Sequence, residues 1–183
     1  MKRLSRLGSV LVLLGILMMT AEAAPPADRE GGSTIMLSVI AHPRVAISEH
    51  LAGAADSVSA VQYKLTDAGL MGSLRSLLRR GIEVRLLLDG REASDRTSLW
   101  RPLAREGAEV RFWPSETRGK LHARFAIIDG SRVLTGSNNW TTKGLDENVE
   151  VVIALEDSSF VAEFESIFRR LWREGEPASE TNE

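Results

Sequence analysis

KLHARFAIIDGSRVLTGSNNW, residues 120 to 140, carries two short apolar runs, Phe125 to Ile128 and Val133 to Leu134, with Asp129 to Arg132 between them. Branched and aromatic residues on either side of an Asp-Gly pair predict a β-hairpin. His122 and Arg124 are two apart, so both side chains leave one face of the first strand. Ser137 and Asn139 stand in the same relation just past the second strand. Four polar groups therefore converge on one patch.

Outward from this hairpin, strand and helix patterns alternate. A β-type run covers Ile35 to Ala41, and apolar residues at helical spacing follow from Val45 to Ala55. Val58 to Tyr63 reads as a strand, and Thr66 or Asp67 can cap the helix that presents Leu70, Leu74, Leu77 and Leu78 and ends at Arg79-Arg80-Gly81. Ile82 to Leu88 is almost unbroken apolar sequence, as in a strand buried on both faces. A helix from about Ser94 to Glu106 leads to a strand at Ala108 to Trp113. After the hairpin, Thr141 to Asp146 is loop or a single turn, Val149 to Leu155 a last strand, and Phe160 to Arg173 an amphipathic helix. This order predicts an α/β domain over 33–173, with a mixed, largely parallel central sheet flanked by helices on both faces.

The ends read differently. Lys2, Arg3 and Arg6, an apolar stretch from Leu7 to Met19 and Ala21-Glu22-Ala23 make residues 1–23 a secretory signal. That apolar run falls short of the roughly 20 residues a spanning helix needs. Residues 24–32 form a flexible lead-in, and 174–183 an acidic tail expected to be disordered. An exported chain without cysteine has no disulfides, thiolate metal site or cysteine nucleophile, and the leader points to a bacterial periplasm. No stable membrane span is expected after cleavage.

With 183 residues, 43% of them apolar, the chain can bury one sizeable core. Removing the leader leaves 20 Lys and Arg against 24 Asp and Glu, which is not the charge of a general nucleic-acid binder. The distribution is more informative: residues 111–143 hold Arg111, Arg118, Lys120, Arg124, Arg132 and Lys143 against Glu116 and Asp129, a local +4. Positive charge therefore surrounds the polar patch, as a phosphate-bearing substrate requires. Asp129 reads as a turn-capping carboxylate. Trp140 either stacks on a base or packs in the core. His42, His50 and His122 lack the close spacing of a metal site, so no metal is expected.

The spacing His122, Arg124, Asp129, then Gly136-Ser137-Asn138-Asn139, with Asn148-Val149-Glu150 following, resembles the phospholipase D superfamily signature. VQYKLTD and LRRGIEVRLLLD upstream look similar to that group as well, so the likeness spans roughly residues 34 to 173. It resembles above all the small single-motif members, among them bacterial periplasmic endonucleases. The resemblance implies a metal-independent phosphodiesterase acting on DNA or RNA without a cofactor. It makes His122 the nucleophile, Glu150 the group that orients it, and Arg124, Ser137 and Asn139 the phosphate ligands, with Lys120, Trp140 and Lys143 alongside. Because the motif occurs once, it also implies a homodimer in which a second His122 supplies the general acid. Lipid-directed hydrolysis or transfer is the alternative activity. Arg124 departs from the family's lysine, and guanidinium is broad and planar where ammonium is compact. Arginine there is either a neutral variant or the mark of a member that binds phosphate without cleaving it.

Overall fold

The computed structural model describes residues 35–40 and 43–179. The expected leader and lead-in lie outside the described residues, as do His42 and the end of the acidic tail. In chain order the elements are β1 (Ile35–Ile40), α1 (Pro43–Ala52), β2 (Ser57–Gln62), α2 (Ala68–Arg79), β3 (Glu83–Asp89), a 3₁₀ turn (Gly90–Ala93), α3 (Trp100–Arg105) and β4 (Glu109–Trp113). There follow α4 (Ser115–Arg118), β5 (Phe125–Ile128), β6 (Arg132–Gly136), α5 (Thr142–Asp146), β7 (Glu150–Leu155), α6 (Ser158–Glu174) and β8 (Glu176–Pro177).

All the strands join one sheet in the order β1-β7-β6-β5-β2-β3-β4-β8. The mixed α/β class is as expected, but among the described strands only β2-β3 and β3-β4 pair in parallel, and the other strand pairings are antiparallel. The reason is which strands become neighbours. The α2 and α3 crossovers return β3 and β4 beside the strand they follow in the same direction, whereas β5 and β6 are joined by a tight turn and β1 and β8 pair with strands distant in the chain.

Alternation along the strands divides the core in two. Ala126 and Ile128 of β5 face α1, α2 and α3, where Ile47, Leu51, Leu70, Leu74, Leu77, Trp100 and Leu103 are buried. Phe125 and Ile127 face α6 through Val161 and Phe168. Helices thus cover both faces. Asp67 caps α2 by accepting the Leu70 amide at 2.9 Å, and Gly81, at φ +78°, makes the left-handed turn beyond its end. Each buried leucine of α2 contributes on the order of 1.5–3 kcal/mol.

Two expectations need correction. The third helix begins only at Trp100, because Asp95 accepts the Thr97 amide at 2.7 Å and so offers the backbone a turn in place of a helix. The tail is not structureless from its start: Glu176 and Pro177 pair with Phe112 and Arg111, and the Ala178 amide donates to Val110 O at 2.9 Å. Open backbone groups on the outer edge of β4 supply the pairing, and a proline is tolerated at such an edge.

The hairpin turn has φ +52° at Asp129 and +57° at Gly130, the two left-handed residues of a tight primed turn. The Asp129 carboxylate also accepts the amides of Ala55, Asp56 and Ser57 at 2.8–2.9 Å, fastening the hairpin tip to the segment before β2. Burial alone would raise this carboxyl; the three N–H donors outweigh it and hold it below its ordinary value. At Asp67, too, burial is outweighed by Arg44 and the Leu70 amide. A depressed folded pKa adds stability above the unfolded value near 3.9, and that stability disappears as pH falls through the folded value. Asp129→Asn keeps the left-handed turn but removes charge and one acceptor. It should cost about 1–3 kcal/mol at pH 7 and reduce the loss of Tm between pH 5 and pH 2 in a calorimetric series. An unchanged acid limb would show that Asp129 does not set it.

Candidate active site

The sheet gathers the predicted residues at one edge, where β2 and β6 end and β5 and β7 begin. Val61 and Thr135 both stand opposite Phe125, and Val152 stands opposite Gly136. In the segments flanking these strand ends, hydrogen bonds join Arg124 to His122 and Asn139, and a separate one joins Ser137 to Glu150. Asp129 lies at the other end of β5, so its role is the turn.

Gly136 has φ +155°, and a Cβ there would lie 1.9 Å from Val151 O. Only glycine allows so close an approach. That approach seats Ser137 against β7: its amide donates to Val151 O, and its Oγ accepts from Val151 N, each at 3.1 Å. The same hydroxyl donates to Glu150 Oε2, while Asn148 Nδ2 donates to Oε1 at 3.0 Å. Here the structure corrects the sequence. Glu150, buried, turns to Ser137 and Asn148 and not to His122, because the tight β6-β7 contact presents the serine to it first.

His122 is exposed, with the Tyr63 ring edge-on at 5.1 Å. Arg124 spans the patch. Its Nε donates to Asn139 Oδ1 at 2.6 Å, and its Nη2 lies 2.9 Å from His122 Nε2. A guanidinium nitrogen can only donate, so Nε2 is the acceptor and the imidazole proton resides on Nδ1. Thr135 Oγ1 donates to Arg124 O at 2.9 Å and fixes the backbone beneath. The arginine thus bridges the expected nucleophile and a phosphate ligand, capping the lone pair an attack would use.

Lys120 and Lys143 are exposed on either side of this sequence, Lys143 within α5. Trp140 is corrected to core. It is 2% exposed among α1 and α2 side chains, and its carbonyl accepts the amides of Thr66 and Asp67 at 2.9 and 3.1 Å, leaving no ring face for a base. Asp89 was missed in the sequence. Fully buried, it accepts Leu121 N at 2.8 Å and Ser115 Oγ at 2.6 Å, fixing the residue before His122. Its signals were the Asp-Gly pair ending an apolar strand and its place at the end of the family-like stretch LRRGIEVRLLLD. Among the described residues no group of three or more His, Asp or Glu side chains is placed to hold a metal ion.

Residues 47–172 match the family described as cardiolipin synthase, PLD-like domain. The chain belongs to the phospholipase D superfamily. Among its superfamily relatives, a mitochondrial cardiolipin hydrolase of Xenopus laevis is 33% identical over 129 residues, 70% of this chain. The mouse protein of that name is 32% identical over 127 residues, 69% of this chain. The chain spans only 60% and 57% of the lengths of these two relatives. The fold matches that of Nuc, a phospholipase D family member from Salmonella typhimurium, with a TM-score of 0.71 at 22% identity over 80% of this chain and 97% of that one. NucT from Helicobacter pylori gives 0.72 at 19% identity, over 80% and 99%.

Proposed function

We propose that this protein is an exported, periplasmic phosphodiesterase that cleaves nucleic acid without a metal, through a phosphohistidine at His122. The observation that carries the reading is the joining of His122, Arg124 and Asn139 by hydrogen bonds at one sheet edge rimmed by exposed cations. A neutral imidazole nitrogen attacks phosphorus, the P–N bond forms as the P–O bond to the leaving group breaks, and the leaving alkoxide takes a proton. Water then attacks the phosphorus of the P–N adduct, giving its proton to the group that protonated the alkoxide, and the P–N electron pair returns to imidazole. Arg124 and Asn139 bind non-bridging oxygens, and Ser137 adds a further hydrogen bond by turning its one O–H from Glu150 to the phosphate. The single motif leaves the alkoxide without its proton donor in one chain. A two-fold homodimer would supply it as a second His122.

A second reading is favoured by the relatives named cardiolipin hydrolase: the same chemistry on a lipid diester. Val149, 92% exposed, directly precedes Glu150 and offers an apolar side chain to such a substrate. No helix among the described residues is long and apolar enough to cross a membrane.

One experiment separates the readings. Purified protein is incubated in EDTA with labelled DNA, labelled RNA, cardiolipin vesicles and bis(p-nitrophenyl) phosphate. Turnover of the small diester and one nucleic acid is expected, undiminished by chelation. Release of phosphatidic acid from the vesicles, with nucleic acid intact, would transfer the assignment to lipid. No turnover of any diester would overturn the reading and leave a phosphate-binding protein.

A further inference from the structure

Gln62 ends β2, one step beyond the registered pair Val61 and Phe125, and so stands across from Arg124. Val61 and Phe125 face α6, so Gln62 and Arg124 turn together to the other face. The glutamine is 2% exposed, and its side-chain oxygen Oε1 has no hydrogen-bond partner. It lines a void of about 10 Å³ shared with Arg124, Thr135, Asn138 and Trp140. That is about the smallest space that admits one water. A buried, unpaired carbonyl destabilises the fold, and where one persists it calls for an explanation.

Arg124 supplies one. Its donors are turned to His122 and Asn139, which leaves the nucleophilic nitrogen covered. Attack on a bound phosphate requires the guanidinium to leave Nε2 and face the phosphate oxygens. We propose that Gln62 is a positioning residue whose side-chain carbonyl receives an Arg124 N–H in that second setting. Arginine then works between two anchors: one caps His122, and the other holds the planar cation beneath the phosphate with an N–H edge outward. A lysine, with its donors on one nitrogen, has no use for the second anchor. The orphaned amide is therefore a companion of the arginine. This inference rests on the diesterase reading above.

The test is a double-mutant cycle of Gln62→Met and Arg124→Lys, read as kcat and KM on bis(p-nitrophenyl) phosphate together with Tm. Gln62→Met removes an unsatisfied buried group at similar volume, so Tm should hold or rise. In the parent, loss of a charge-assisted hydrogen bond formed only as the bound phosphate is attacked should lower kcat roughly ten- to a hundredfold. In the Arg124→Lys background the same change should alter kcat less than about twofold. An equal loss in both backgrounds would assign Gln62 to packing or to a bound water, and no loss in the parent would remove its role; either overturns the proposal. Gln62→Leu repeats the cycle should the methionine variant fail to fold. Absence of diester turnover in the unaltered protein would instead sink the diesterase reading, and this inference with it. Turnover in the unaltered protein that His122→Ala abolishes keeps the two outcomes apart.

Discussion

His122→Ala lowers the turnover of a phosphodiester by at least about 10⁴-fold while leaving Tm nearly unchanged. The expectation follows from where the side chain stands. His122 is exposed, so its removal leaves no buried cavity, and its one polar side-chain partner, Arg124, keeps Asn139. The loss is chemical. Without imidazole no P–N bond can form, and direct attack by water must cross in one step the barrier that the adduct divides into two. Two further readouts belong to the nucleophile alone. Denaturation in alkali during turnover of a labelled diester should leave label on the parent and none on the variant. Substrate binding, measured as protection of the fold at high diester concentration, should survive in the variant because Arg124, Asn139 and Ser137 remain. Retained turnover in His122→Ala would place the chemistry elsewhere.

Much of this site was legible in the sequence because it depends on short-range periodicity. Residues two apart in extended chain share a face, which pairs His122 with Arg124 and Ser137 with Asn139, although all four lie just outside β5 and β6 and not on the strands themselves. The Asp-Gly turn fixed the hairpin register that brings those pairs together. What could not be read depends on contacts between distant segments. Glu150 has the right parity for the patch, but its partner is chosen by the glycine contact between β6 and β7, which gives the carboxylate to Ser137. Trp140 follows a polar turn, yet it is buried because Thr66 and Asp67 bind its carbonyl and draw it under α2. Asp89 and Gln62 look in the sequence like ordinary strand ends. Their significance comes from the strands that end beside them. The parallel share of the sheet was overestimated for a related reason: strand-helix alternation records the crossovers between β2, β3 and β4, but not that β5 enters beside β2 in the opposite direction.

Arg124→Lys raises kcat on the same small diester by about tenfold to a hundredfold, with a smaller change in KM. In the resting site the guanidinium spans Asn139 Oδ1 and His122 Nε2 with two different nitrogens, which its width permits. An ammonium has its three donors on one atom. A lysine that keeps Asn139 releases Nε2, so the lone pair is available when the substrate arrives. The gain in the variant is the hydrogen bond that the parent must break before each attack, a charge-assisted contact worth about 1.5–3 kcal/mol. Because uncapping precedes chemistry, the benefit appears in kcat; because both cations attract the phosphate, affinity changes less. The gain should be larger still where Gln62→Met has removed the second anchor, since the arginine then has no acceptor to receive it when it leaves His122. A fall in kcat on Arg124→Lys would mean that the planar, two-pronged cation is what this site uses to hold the transition state, and that the cap on His122 is broken at no cost when phosphate binds.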